Sequence, residues 1–369
     1  MIYLDGHSST RPCTAAIERM TPYFEEHWGA LFAPHRMGQE LVAALDARYQ
    51  MIYDLVGANR EDLFVFTSSG AEAVNQVFWS VFLERARKEG KCHIVVSSIE
   101  DAPTMQSAKR LEELGCTIKI APADGQIDVN QLAELINPRT ALISVTMAQG
   151  LTGVIQPVEE IARLAKEKGV LLHLDATYAV GKYPFSFAEL GADYLTFSGD
   201  RIHAVKGSGG LFAKEKSPLV PLIVGGNEQM SLRGGAFDIP SFMALSAAAQ
   251  QALLYLDAMG LEVVRLRDLF ESQLTSAQVL YKDFLRLPNT TAIAFPRVHQ
   301  EALLYLLNRK GVYAALGGPY CQHLSRLTGS ESTLSFSLTR MTTEEEILRA
   351  AALINEAVKQ LQAISEDIF

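Results

Sequence analysis

The sequence predicts an α/β fold: a large domain with a mainly parallel sheet covered by helices on both faces, plus a smaller α+β C-terminal domain. Three observations predict it. Between about residues 60 and 215, short β-rich runs alternate with segments of helical period. Those runs are continuously apolar, the pattern of strands buried on both faces. After Pro240 the alternation stops, and a long Ala-rich helical stretch leads into a second set of strand and helix signals.

Asp62-Leu63-Phe64-Val65-Phe66 reads as a strand entering the turn Thr67-Ser68-Ser69-Gly70, and Ala71 to about Glu84 as the helix that follows. His93-Ile94-Val95-Val96 is a second buried strand. Thr104 to Leu114 is a helix stopped by Gly115, and Thr117-Ile118-Lys119-Ile120 is a strand before the Asp124-Gly125 turn signal. Asp128 and Gln131 fit a capping box. Ala141-Leu142-Ile143-Ser144-Val145 is the next strand. Pro157 opens a helix where no amide donor is needed, with Val158, Ile161 and Leu164-Ala165 facing inward and Gly169 ending it. Val170-Leu171-Leu172-His173-Leu174 delivers Asp175 at its C-terminal end. Beyond Pro240, a helix from about Ser241 to Met259 continues into Leu261 to about Gln278. Strands return at Thr291–Phe295 and Thr333–Leu338. The last helix, about Thr343 to Gln362, carries Glu344, Glu345 and Glu346 in its first turn, where acidic charge suits the helix dipole.

Composition narrows the classes of function. The formal net charge of -9 excludes broad electrostatic attraction to nucleic acid or an anionic membrane. No apolar run approaches a membrane span, and the N-terminal Met1-Ile2-Tyr3-Leu4-Asp5 lacks the features of a signal peptide. Cys13, Cys92, Cys116 and Cys321 show neither metal-ligand spacing nor a disulfide framework. A cytoplasmic protein with free thiols and no metal site is the expectation.

An ordered set of short motifs runs from residue 2 to about 360. These are Ile2-Tyr3-Leu4-Asp5 with Thr10 and Pro12, then Asp54-Leu55-Val56-Gly57-Ala58, then Val65-Phe66-Thr67-Ser68. Leu174-Asp175-Ala176-Thr177 with Val180-Gly181-Lys182, Phe197-Ser198-Gly199 and Lys206-Gly207-Ser208-Gly209 follow. Phe336-Ser337-Leu338-Thr339-Arg340 and Thr342-Thr343-Glu344-Glu345 close the set. In this order and spacing they resemble the cysteine desulfurase branch of the class V aminotransferases, fold type I pyridoxal-phosphate enzymes. We expect 13–250 to form the large cofactor-type domain, and 1–12 with 251–369 the small one. The resemblance implies a dimer with the cofactor between the large domain and the dimer interface. It also implies removal of sulfur from cysteine onto a mobile cysteine as a persulfide, with release of alanine. The sulfur then passes to iron–sulfur assembly or tRNA thiolation.

Carried over position by position, the resemblance places Arg201 where the family has its Schiff-base lysine. An amine can be tuned to form an imine, whereas a guanidinium stays protonated and delocalised. Asp175 matches the carboxylate that pairs with the pyridine nitrogen; taken alone, a strand-end Asp capping a turn is an equal reading. Ser69, Gly70 and Ala71 fall on the phosphate turn, where a helix N-terminus presents free amides, but Ala71 replaces a hydroxyl-bearing Thr. Asp101 replaces the ring-stacking His. Gln149 lies in the region that contacts the ring hydroxyl, and Tyr178 replaces a Gln serving it, with a bulk that could fill part of the ring's volume or simply pack. Ser198 matches a phosphate-contacting Ser, while Asp200 replaces the adjacent His. An anion there repels a phosphate unless paired, and Arg201 is the expected pair. Ala236 replaces a Thr reaching over from a partner subunit, and Ser335 the Arg that clamps the substrate carboxylate. Lys206 matches a separate family lysine and is no substitute for the missing one. Cys321, after Gly317-Gly318-Pro319, falls near the mobile persulfide cysteine; we expect an ordinary thiol there, either a persulfide carrier or an incidental loop residue.

The losses touch imine formation, ring stacking, phosphate, ring hydroxyl and substrate carboxylate together. We therefore expect a desulfurase-like protein that has lost catalysis and kept its fold. It would act as a homodimer or a heterodimer with an active paralogue, docking a sulfur acceptor or scaffold protein, without covalent pyridoxal phosphate. Two alternatives remain open at this point: an active pyridoxal-phosphate enzyme with an altered site, and a cofactor-free persulfide relay through Cys321, which needs that residue exposed on a mobile loop.

Overall fold

The computed structural model describes residues 1–319 and 321–366. Its strands are β1 (Ile2–Tyr3), β2 (Leu63–Thr67), β3 (His93–Ser97), β4 (Thr117–Ala121), β5 (Ala123–Asp124), β6 (Gln126–Ile127) and β7 (Thr140–Thr146), followed by β8 (Leu171–Asp175), β9 (Tyr194–Ser198), β10 (Gly209–Ala213), β11 (Gln278–Val279), β12 (Thr290–Ala294), β13 (Val312–Tyr313) and β14 (Thr333–Ser337). Seven of them form one sheet in the order β2-β10-β9-β8-β7-β3-β4. All neighbours run parallel except β10, which is antiparallel to both β2 and β9.

The unbroken apolar runs have a direct cause. Ile94 and Val96 face one core with Val74, Val77 and Phe78 of the helix Gly70–Val81, while Val95 between them faces the other core with Ile161 and Ala244. Side chains alternate across a strand, so a sheet covered on both faces needs apolar residues at every position. Each such burial is worth about 1.5–3 kcal/mol.

A second unit is built on the antiparallel order β11-β12-β14, beside the parallel pair β1-β13. Ile2 and Leu4 pack into the same core as Phe270, Phe295, Phe336, Ile347 and Ile354, so the chain's start and its last helix share one apolar cluster. The Asp128 cap holds as read, accepting from the Asn130 and Gln131 amides at 2.9 and 3.2 Å.

The continuous helix expected over 241–278 is a departure. The helix Ile239–Leu254 ends at Tyr255, and the chain resumes with a bend of 56° over Leu256–Gln273. Tyr255 has left the helical region (ψ 5°), a π turn follows at Met259–Val263, and Leu274 is extended. Strand β10 gave no clear strand signal because it opens on Gly209-Gly210. Gly210 sits where a Cβ would run into the rings of Phe197 and Phe64. Among the described residues no single helix is long and apolar enough to cross a membrane.

Candidate active site

The C-terminal ends of β3, β7, β8 and β9 meet the N-terminus of the helix Gly70–Val81. A Cβ on Gly70 would lie 3.3 Å from Ser198 and 3.4 Å from the Thr177 hydroxyl, so the turn, β9 and the segment after β8 converge. Ser69 caps that helix, its Oγ accepting from the Glu72 amide at 3.2 Å. The Glu72 carboxylate returns to accept from the Ser68 amide at 2.8 Å and pairs with Arg233 at 3.0 Å. Burial opposes ionisation of Glu72, but the Arg233 and Ser68 donors outweigh it and hold the carboxyl below its usual range. Ala71 follows in the first turn.

Beyond β3 the chain places two carboxyls side by side. Glu100 is fully buried; its Oε1 accepts from the Ser97 hydroxyl and, at 2.9 Å, from the Thr146 amide. Burial pushes it up to about 8, and the Ser97 and Thr146 donors only partly offset this. Asp101 begins the helix Ala102–Glu113 without capping it, because its Oδ2 accepts from the Tyr178 hydroxyl at 2.5 Å. Burial, opposed by the Tyr178 bond and reinforced by Asp175, pushes Asp101 up to about 7. Asp175, at the end of β8, is also raised by burial, against the pull of the Thr177 amide at 3.0 Å and of Arg201.

Tyr178 is 5% exposed, and its ring occupies the space that a side chain at Gly150 would enter. A Cβ at Gly150 would meet the Tyr178 Cε1 at 2.5 Å. Gly150→Ala is therefore expected to destabilise the protein by about 1–3 kcal/mol in urea unfolding. An unchanged midpoint would mean the ring has room to retreat.

After β9, the residues Gly199–Arg201 form a 3-10 turn. Ser198 Oγ donates to Asp200 Oδ1 at 2.6 Å, and Arg201 Nη1 donates to Asp200 Oδ2 at 2.5 Å. The Asp200 carbonyl accepts from both the amide and the hydroxyl of Thr10 at 2.8 Å, tying the N-terminal segment to the turn. Beside them Lys182 is buried, with Nζ 3.4 Å from the Tyr178 carbonyl. Burial, helped by the Arg201 charge, pushes its amine down to about 7.

The chain matches the Aminotransferase class-V family over residues 2–349. It is 33% identical to the cysteine desulfurase NifS of Azotobacter vinelandii, over 99% of this chain and 94% of that protein. It is 32% identical to a cysteine desulfurase of Trichormus azollae, with the same coverage. The chain belongs to the cysteine desulfurase family. A solved NifS-like protein superimposes with a TM-score of 0.89 at 27% identity, covering 99% of both chains. A NifS-like protein from Rickettsia africae shares the fold, with a TM-score of 0.85 at 22% identity, over 98% of this chain and 99% of that one.

Most positions carried over from the cysteine desulfurase pattern thus fall in one place: Ser69, Gly70 and Ala71, Asp101, Asp175, Tyr178, Ser198, Asp200 and Arg201. Gln149 turns on its own loop, its Oε1 accepting from the Leu151 and Thr152 amides at 2.6 and 3.0 Å. Ser335 is buried in β14 and donates to the Leu151 carbonyl at 2.6 Å, so it braces that loop. Ala236 is exposed on the stretch before Ile239.

Cys321 departs from expectation. It is 8% exposed and packs with Leu151, Ala292, Ala315 and Leu324. Burial, with Asp101 nearby, pushes its thiol up to about 12, so it is not the ordinary thiol of an open loop. The next residue anchors the segment: Gln322 Nε2 donates to the carbonyls of Ser98 at 2.6 Å and Glu100 at 3.1 Å.

Sequence reasoning missed Glu100, Gln322 and the placement of Lys182. Lys182 was visible only as the end of Val180-Gly181-Lys182. Glu100 had only its adjacency to Asp101, which does not reveal that both carboxyls face inward.

Proposed function

We propose that this cysteine desulfurase family member does not hold pyridoxal phosphate covalently and acts as a binding partner in sulfur transfer or iron–sulfur assembly. The observation that carries the reading is Arg201 at the Schiff-base position, ion-paired to Asp200. The residues present do not fit a covalently held cofactor. A guanidinium forms no imine. Asp101 and Tyr178 are bonded to each other across the stacking and ring-hydroxyl positions. The Ser198 hydroxyl, which the family turns to phosphate, is committed to a carboxylate. The site is supplied with its own anions and its own aromatic ring. In this reading the chain works in the cytoplasm as a homodimer or beside an active paralogue, presenting the family's surface to a scaffold or sulfur acceptor.

The test is the visible absorption of the purified chain with added pyridoxal phosphate, before and after cysteine, with Arg201→Lys in parallel. No visible band and no alanine from cysteine are expected for the unmodified chain. A band accompanied by alanine release overturns the reading. Recovery of the band by Arg201→Lys alone would locate the loss in that one residue.

A second reading, an active enzyme with an altered site, is favoured by Lys182. A buried amine pushed down to about 7 has the reactivity that imine formation requires. Borohydride reduction of the mixture followed by peptide mapping separates the two: a pyridoxyl adduct on Lys182 supports the second. The relay through Cys321 is disfavoured by the burial of that thiol.

A further inference from the structure

Cys92 and Cys116 stand side by side at the end of the sheet opposite the candidate site. The β3–β4 ladder pairs His93 with Thr117, and the Thr117 amide donates to the Cys92 carbonyl at 2.7 Å, which extends the ladder one step back to Cys92 and Cys116. Cys92 shares the face of Ile94 and Val96, and Cys116 that of Ile118, and all five pack in one cluster. Facing residues of neighbouring strands are about 4.8 Å apart, and a disulfide spans Cα separations of about 4.4–6.8 Å. Gly90 and Gly115, with φ of 72° and 94° and open space around them, precede the two cysteines and give each strand end room to adjust.

The two thiols differ in surroundings. Cys92 is half-buried, and the Arg139 guanidinium donates to its sulfur. Cys116 is buried; burial raises its thiol, and the neighbouring Cys92 adds to the effect. One sulfur is thus reachable with a cation beside it, and the other is sheltered behind it.

We infer that Cys92 and Cys116 form an oxidisable dithiol, in which Cys92 is the sulfur that attacks a small peroxide and Cys116 resolves the product as a disulfide joining β3 to β4. In the first step Cys92 Sγ bonds to a peroxide oxygen, the O–O bond breaks, and water leaves, giving a sulfenic acid. In the second, Cys116 Sγ bonds to the Cys92 sulfur, the S–O bond breaks, and a second water leaves. The two thiols together lose two electrons and two protons, and hydrogen peroxide is reduced to two waters. This inference does not depend on whether the candidate site is catalytic.

The test treats the full chain with hydrogen peroxide, blocks remaining thiols, and maps unreduced peptides by mass. A Cys92–Cys116 crosslink is expected, reversed by dithiothreitol, with Cys13 and Cys321 still free. Cys92→Ser should leave Cys116 reduced, and Cys116→Ser should leave Cys92 as an uncrosslinked oxyacid. Arg139→Gln should slow the reaction by several-fold without abolishing the crosslink. The inference fails if Cys116 stays alkylatable while Cys92 is consumed, if Cys92 pairs with another cysteine or another chain, or if neither thiol reacts at doses that oxidise exposed methionines.

Discussion

Arg201→Ala is expected to destabilise the protein by about 3–5 kcal/mol, the cost of removing one member of a buried ion pair. The side chains of Arg201 and Asp200 are only 11% and 15% exposed, so water does little to compensate the carboxylate left behind. Arg201 also draws down the carboxyls of Asp101 and Asp175, and its loss removes the cation that offsets the repulsion between those two acids. Asp200→Asn in the same chain should recover part of the loss, because it removes the orphaned charge and keeps an acceptor for Ser198 Oγ. Urea unfolding of the two single variants and the double variant forms a double-mutant cycle. A single-variant cost below about 1 kcal/mol, the worth of an exposed pair, would show that the turn is open to solvent. The experiment also bears on Arg201→Lys. A lysine keeps the charge but gives up the planar fork, so that variant should be less stable than the parent whether or not it takes up pyridoxal phosphate.

The contribution of Glu100 and Asp101 to stability is expected to fall as pH rises from about 5 to 8, by at least about 1.4 kcal/mol, the worth of one pKa unit. It runs against the opposite slope of Lys182, His173 and His203, whose proton affinities burial lowers. Burial raises Glu100 from 4.5 to about 8 and Asp101 from 3.8 to about 7. Between the ordinary and the raised values the folded chain holds protons that the unfolded chain has released. The native state therefore binds more protons in that window, and raising the pH favours unfolding. Glu100→Gln copies the neutral form and keeps an oxygen for Ser97 and the Thr146 amide, so it should flatten much of the pH dependence and be the more stable protein at pH 8. A profile that Glu100→Gln leaves unchanged would mean that the carboxyl is ionised in the folded state. The two acids titrate together, so Asp101→Asn should remove a further share rather than an independent one. Above about pH 7 that variant also replaces a charged acceptor for the Tyr178 hydroxyl by a neutral one.

Legibility differed between fold and site for physical reasons. A run such as Ile94-Val95-Val96 announces a strand covered on both sides because each residue meets a core, whatever the rest of the chain does. The Asp128 cap is equally local, since both partners lie within three residues. Strand β10 was hidden because its first two glycines make room for neighbours rather than serve strand propensity, Gly209 for the Ser69–Gly70 backbone and Gly210 for the rings of Phe197 and Phe64.

The sequence alone determined the family's architecture and the residues standing at 101, 178, 200, 201 and 335, since identity and order along the chain need no contacts. Only the tertiary structure decided what those residues do to one another. It bonded Tyr178 to Asp101 across 77 positions of sequence and anchored the Cys321 segment through Gln322 to Ser98. It also buried Glu100 and Lys182 deeply enough to move their proton affinities. Proton affinity and thiol reactivity depend on desolvation and on charges a few ångströms away, and both are set by the packing of elements far apart in the chain.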